Sequence, residues 1–407
     1  MSEVIERFLR YVSVDTQSAE GVETTPSTSK QRDLAALLYE ELRQMGASDV
    51  RFDEEHCYVY AKIPATDGGR QTKTIGFLAH MDTSPEVSDT NVRARIVSNY
   101  DGGDIVLNEE GPVVMRVADF PELPSYAGRS LIVTDGTTLL GADDKAGVAE
   151  IMTMASQLLA HPEIAHGPIA VAFTPDEEVG MGVSNIDLAA FGADYAYTVD
   201  GGGLGELEYE CFNAAAATVE ITGRSVHPGS AKGKMINASR VAIELDAKIP
   251  ATERPETTEG YEGFFHLTHI EGETEHAVIS YIIRDHDRAK FEEKKSRMQA
   301  MTDEINAHYG EGTAVLTMKD SYYNMREIIE PEFGFLVDRA QEAMRELGIE
   351  PLVRPIRGGT DGAMLSYMGV PCPNLCTGGG NFHSRFEYAC VESMERIVEL
   401  LKALAVM

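Results

Sequence analysis

A chain of 407 residues, 43% of them hydrophobic, can bury a sizeable core and is long enough for two domains. Its 35 basic residues stand against 66 acidic ones, a net charge of -31 that argues against nucleic acid or an anionic membrane surface as the main partner, since both call for basic patches. No run approaches the roughly 18 apolar residues of a membrane span, the N-terminal SEVIERFLRYVSV is an amphipathic helix rather than a leader, and five irregularly spaced cysteines make no disulfide framework, so the sequence reads as soluble and cytoplasmic.

After the first helix, a Thr/Ser/Pro stretch at residues 24–29 leads to a second, with Leu34, Leu38, Leu42 and Met45 on one face and Gly46 as its stop. TIGFLAHMDT is of strand length and ends in His80 and Asp82. Residues 84–140, rich in Gly and Pro, predict irregular excursions and small strands rather than a separate core. LLGADDKAGVAEIM then sets Asp143 and Asp144 in a turn at the start of a helix, whose Val148, Ile151, Met152, Ala155 and Leu159 keep helical spacing as far as Pro162. PIAVAFTPDEEVG is a strand that breaks at Pro175 and delivers Asp176, Glu177 and Glu178; YAYTVDGGG delivers Asp200; VPCPNLCTGGGNFH ends at His383. Strands and helices alternating in this way predict a mostly parallel sheet with its ligands at the carboxyl ends of the strands.

Between residues 211 and 322 the pattern changes to strand, helix, two strands, helix, strand: AAAATVEITG, MINASRVAIELDAKI, residues 264–270, residues 277–284, a charged helix over 288–308, and TAVLTMKD. That order is the ferredoxin-like split unit. The predicted fold is therefore α/β, a mostly parallel-sheet domain in two parts, 1–210 and 323–407, with an inserted ferredoxin-like α+β domain at 211–322 that serves as lid or dimerisation module.

The strand ends gather His80, Asp82, Asp143, Asp144, Glu177, Glu178, Asp200 and His383. A lone carboxylate at a helix start is ordinarily a cap, and a lone His at a strand end is ordinarily a satisfied one. So many together would repel and desolvate one another without cations. Imidazole and carboxylate donors without thiolate suit zinc, cobalt or manganese. Two ions with a shared carboxylate use the cluster economically: four positive charges face three ligand carboxylates and one hydroxide, with a coordination position open to water. His80 and Asp82, two apart on a strand, share a face, so Asp82 can fix the imidazole. Of the adjacent Glu177 and Glu178, one can bind metal while the other acts as general base.

With these residues on the page, the chain resembles the exopeptidases and deacylases that carry two zinc ions, and among them the tripeptide aminopeptidases. The likeness runs through TPSTS, HMDTSP, GADDKAG, AFTPDEEVG, YTVDGGG, VHPGSAKG, PETTEGYEGF, DSYYNMRE, PIRGGTDGA and GVPCPNL. It implies that His80, Asp143 and Asp200 hold one metal, that Asp143, Glu178 and His383 hold the other, and that Glu177 is the base and later the acid. It also implies that Asp82 orients His80, that the peptide between Asp143 and Asp144 is cis, and that His227 of SVHPG donates to the oxyanion from a lid. The last ligand sits in GGGNFHSRFE, where the resemblance predicts a Tyr-rich lead and a Lys-His pair; the departure touches the pocket wall and leaves His383 itself in place.

A tripeptide puts its terminal carboxylate about 7 Å beyond the cut bond, so a cation should lie there. Arg357 in RGGTDG is the candidate, with Arg284 and Asn237 of the insert behind it, and each has a structural hydrogen-bonding role as its alternative. The expected substrates are short peptides, the expected cofactors two zinc ions, and the expected assembly a homodimer through the inserted domain. Dipeptidases and N-acyl amino acid deacylases share such a metal core, and a catalytically silent scaffold is a further alternative.

Overall fold

The computed structural model describes residues 1–406 except 67, 69–72, 110 and 112. The chain divides into two compact units: residues 1–209, 327–354 and 360–407 form the first, residues 210–326 and 355–359 the second.

The first unit is built on an eight-stranded sheet. Its middle is four neighbouring parallel strands, in the order Ile169–Thr174, Ile75–His80, Tyr195–Gly201 and Asn374–Cys376. The first two are buried at every residue, which is why they read as unbroken apolar runs: a strand covered on both faces has no reason to alternate. Tyr58–Ile63 flanks the four antiparallel on one side, with Ser48–Asp53 beyond it and antiparallel to it, and Glu206–Glu208 flanks them antiparallel on the other.

The helix Ala142–Ala160 packs on the strands Ile75–His80 and Tyr195–Gly201 and is in turn covered by the helices Glu3–Tyr11 and Val391–Val406. It is buried on nearly all sides, which explains why its sequence carries few charges. On the other face Leu78, Ala170, Ala172 and Ala196 pack against Phe191, Leu365 and Val370. Three layers result, and the four parallel strands all point their carboxyl ends at one edge.

Residues 84–140 differ from expectation. Their short strands Arg95–Val97 and Leu131–Val133 join Tyr388–Cys390 and Gly379–Gly380 in a four-stranded sheet, and Tyr100, Ile105, Leu107, Met115, Leu123, Leu131 and Val133 bury themselves with Tyr388 and Cys390 as a cluster of their own. Strands of three or four residues are too short to show a period, and the residues that close this core lie some 250 positions further on.

The second unit has the order strand, helix, strand, strand, helix, strand, with strands Asn213–Thr222, Phe264–Gly272, His276–Asp285 and Ala314–Tyr322 and helices Ala238–Asp246 and Arg288–Tyr309. All pairings are antiparallel, and Asn213–Thr222 and His276–Asp285 lie in the middle. The helices cover one face: Val219, Ile221, Ile279, Tyr281 and Ile283 meet Val241, Leu245, Phe291, Met298 and Ile305. This is the ferredoxin-like unit. All five cysteines are buried and none is in a disulfide, and among the described residues no helix is long and apolar enough to cross a membrane.

Candidate metal centre

Three of the four parallel strands end in a group that faces the same spot. Strand Ile75–His80 presents His80, whose Nε2 lies 2.8 Å from Asp143 Oδ1 and 3.4 Å from Asp200 Oδ1. Its Nδ1 donates to the Asp82 carbonyl at 3.0 Å, which leaves Nε2 to face the two carboxylates as a lone-pair donor. Strand Tyr195–Gly201 presents Asp200, and the turn after Ile169–Thr174 presents Glu177 and Glu178. There Asp176 sits at φ 55°, left-handed, so the chain reverses sharply after Pro175. Asp143 comes from the first turn of the long helix, where φ is 80° at the capping Gly141 and the bond between Asp143 and Asp144 is cis. His383 Nε2 lies 2.8 Å from Glu178 Oε2 and 3.2 Å from Asp143 Oδ2.

The ligand atoms of His80, Asp143 and Asp200 all lie within 4.8 Å of one another, as do those of Asp143, Glu178 and His383. Asp143 belongs to both sets, with Oδ1 turned to one and Oδ2 to the other. A tetrahedral site with bonds near 2.0–2.1 Å has ligand-to-ligand edges of about 3.3 Å, so contacts of 2.8–3.4 Å are the right size for a cation at each set. Glu178 also keeps Oε1 buried with no hydrogen-bond partner, a cost that a cation ligand would remove. The residues present therefore fit two metal ions.

The electrostatics agree. Burial, reinforced by the Asp200 charge, pushes the Glu177 carboxyl well above the usual range. Burial and the Asp143 charge raise Glu178 to about 8, and burial raises Asp200 to about 6 against the pull of His80. Asp143 goes the other way: burial opposes it, but bonds from His383 and His80 hold it below the carboxylate range. Bonds to Asp143 and Glu178 lift His383 to about 11. Divalent cations relieve the crowding that drives these shifts.

Asp82 is fully buried, its Oδ1 3.3 Å from His80 Nδ1, and its carboxylate also serves the two glutamates. Its Oδ1 accepts from the Glu177 amide at 3.0 Å and its Oδ2 from the Glu178 amide at 3.2 Å, so one carboxylate holds the backbone of both glutamates. Asp144 ties His80 to the long helix, accepting from the His80 and Gly147 amides at 3.2 and 3.1 Å. Asp176 accepts from Ser27 of the 24–29 loop and from Gln31, the first residue of the helix after it.

Three further carboxylates went unnoticed in the sequence. Asp361, in RGGTDG, is buried, accepts from Thr174 Oγ1 at 2.8 Å and is raised to about 7 by burial. Glu208 accepts from Asn374 Nδ2, whose Oδ1 receives the Asp200 amide. Glu387 lies under the Asp143 turn. Each is a lone acid in a polar loop or short strand, and nothing in composition separates such an acid from a surface one.

The other predicted substrate groups lie in the second unit. His227 is exposed, and its Nδ1 accepts from the Gly229 amide at 3.1 Å, which leaves Nε2–H as a neutral donor. Asn237 Oδ1 caps the helix Ala238–Asp246 through the Arg240 amide. Arg357 donates to the carbonyls of Gly260, Glu262 and Thr258 and to Thr258 Oγ1, so its guanidinium fastens the 258–262 loop. Arg284 lies over the Tyr322 ring at 4.9 Å with Nη1 buried and unbonded.

Comparison with known proteins adds relatives to this geometry. Residues 209–313 match the peptidase dimerisation domain family. Peptidase T of Alkaliphilus oremlandii is 53% identical over 402 residues, covering 98% of each chain, and peptidase T of Desulfitobacterium hafniense strain Y51 is 56% identical over 401 residues, covering 98% of this chain and 97% of its own. Among solved structures, aminopeptidase PepT of Bacillus cereus shares the fold with a TM-score of 0.75 at 23% identity, covering 99% of this chain and 97% of its own. A dinuclear metal binding peptidase of the M20 family from Bacillus subtilis has a TM-score of 0.66 at 13% identity, covering 99% of this chain and 96% of its own.

Proposed function

Because the chain belongs to the peptidase T family, we propose that it is a cytoplasmic metal-dependent aminopeptidase that releases the N-terminal residue of tripeptides. The observation that carries the reading is the pair of three-ligand sets joined at Asp143, with Glu177 beside them. His80, Asp143 and Asp200 would hold one divalent ion and Asp143, Glu178 and His383 the other; when bound, the pair supplies the Lewis acidity that makes water nucleophilic near neutral pH. Zinc is the proposed metal, with cobalt or manganese able to take its place on such donors.

Glu177 does the proton work. Held by Asp82 through its own amide, it takes a proton from the attacking water at a carboxylate oxygen and returns it to the nitrogen of the leaving amine. His227 Nε2–H is the proposed donor to the oxyanion, a role its tautomer supports. For the terminal carboxylate, Arg284 takes precedence over Arg357, because its guanidinium keeps a buried nitrogen without a partner whereas that of Arg357 is committed to a loop. The match to the peptidase dimerisation domain supports a homodimer formed through the second unit.

The deciding experiment follows hydrolysis of a free-amine tripeptide, its N-acetyl form and an N-acetyl amino acid by the zinc-loaded and the chelator-stripped enzyme. The proposal expects cleavage of the first alone, and only with metal. Turnover of the N-acetyl amino acid but not the tripeptide would transfer the protein to the deacylases, an alternative that full-length identity of 53–56% with peptidase T does not favour.

A further inference from the structure

Glu387 lies four residues past His383, and it is 1% exposed. Its Oε2 accepts from the amides of Leu140 and Gly141, each at 2.7 Å, and its Oε1 accepts from the amide of Asp143 at 3.0 Å. Those three N–H groups lie at the N-terminal end of the long helix, from its lead-in to its first turn, where helical bonding has not begun and each donor needs a partner from elsewhere. With Gly141 left-handed, the turn aims them at one point, the arrangement that binds anions in backbone nests. Here the anion is the chain's own side chain.

We infer that Glu387 is a positioning residue: it holds the turn that carries Asp143 in its ligating shape and fixes the spacing between Asp143 and His383. The second half follows from connectivity. Residues 383–387 run directly into the strand Tyr388–Cys390, which is anchored on Leu131–Val133 with Tyr388 opposite Val133. The short link that presents His383 is thus tied at its far end to the amide of Asp143, and the two groups facing each other across the second ligand set cannot drift apart independently. A carboxylate suits the task because its two oxygens only accept; an amide in its place would turn an NH2 toward an N–H on one side. Asp82 treats the amides of Glu177 and Glu178 in the same way, so two buried acids between them fix the backbone on which three of the five ligands and the base depend.

The inference rests on the reading of Asp143 as the shared ligand, and the test separates the two. In the metal-free wild-type protein, amide hydrogen exchange at residues 140, 141 and 143 is expected to be slow, as in a bonded helix rather than an open loop. In metal-free Glu387→Gln these amides should exchange at least tenfold faster while strand Ile169–Thr174 keeps its protection. Calorimetric titration of zinc into the stripped proteins should give a 10- to 100-fold weaker affinity for the folded variant, the range found when outer partners of metal ligands are removed, with part of the loss recovered in Glu387→Asp. Open-loop exchange in the wild type, or a folded Glu387→Gln that binds zinc within twofold of the wild type, overturns the inference. Should Glu387→Gln not fold, the wild-type exchange decides alone. A wild type that binds no zinc overturns the metal reading instead, and leaves the hold on the turn to the exchange measurement.

Discussion

Glu177 and Glu178 are adjacent, yet the backbone reversal at Asp176 sends them to different work: Glu178 meets His383 at 2.8 Å, and Glu177 stays out of both ligand sets. Glu177→Ala is therefore expected to lower turnover by about 10²- to 10⁴-fold while the metal content, read by elemental analysis, stays at the wild-type value. Loss of bound metal with the activity would make Glu177 a ligand rather than a base. Glu208 supplies a test by pH. Burial lifts its carboxyl from 4.5 to about 7, so between those values the unfolded chain sheds a proton that the folded chain keeps. Stability should fall as pH rises through that window and the loss should be complete above it. In chelator-treated protein, Glu208→Gln should match the wild type near pH 4.5 and exceed it at pH 8 by on the order of 1–2 kcal/mol in denaturant unfolding; equal stability at both would refute the shift. At this scale the sequence was legible where ionisable side chains follow apolar runs, as at His80, Glu178 and Asp200. It was silent about Glu208, Asp361 and Glu387, because a single carboxylate in a polar segment carries no mark of the buried amides it will meet.

The element that sets the centre is the helix Ala142–Ala160, since its first turn carries Asp143 and its body lies on the strands that end in His80 and Asp200. How close it lies is decided at Gly147. A Cβ there would stand 1.9 Å from the Val199 carbonyl oxygen and 2.5 Å from Asp144 Oδ1, and neither can yield without moving strand or turn. Gly147→Ala should thus cost about 3 kcal/mol or more despite its better helix propensity, the reverse of the gain such a change gives on an open helix, and should weaken zinc binding as well. A thermal midpoint equal to the wild type would show that the helix has room to spare. Helix and parallel strands could be read from the sequence because burial on every side leaves long apolar stretches with punctual ends. Residues 84–140 could not: their strands are shorter than any period, and their cluster closes only when Tyr388 and Cys390 arrive from the far end of the chain.

For the whole molecule, the candidate ligands come from residues 80, 143, 178, 200 and 383, so ions held by all five would bind only the folded chain. The division into two units bears on how that shows in unfolding. All five candidate ligands belong to the first unit, whereas residues 210–326 have a hydrophobic core of their own with none of the five in it. Metal should accordingly raise the unfolding midpoint of the first unit alone. At a free concentration near a thousand times the dissociation constant one site adds about 4 kcal/mol, which for a unit of this size moves the midpoint up by about 5–10 °C. Calorimetry with chelator and with zinc should then show a transition that climbs with metal and a second that stays where it was, with the gap growing as zinc is added. If the two transitions move together, the units unfold as one and ligand binding reports on the chain entire; if neither moves, the five residues do not share ions, and the catalytic reading built on them falls with that result.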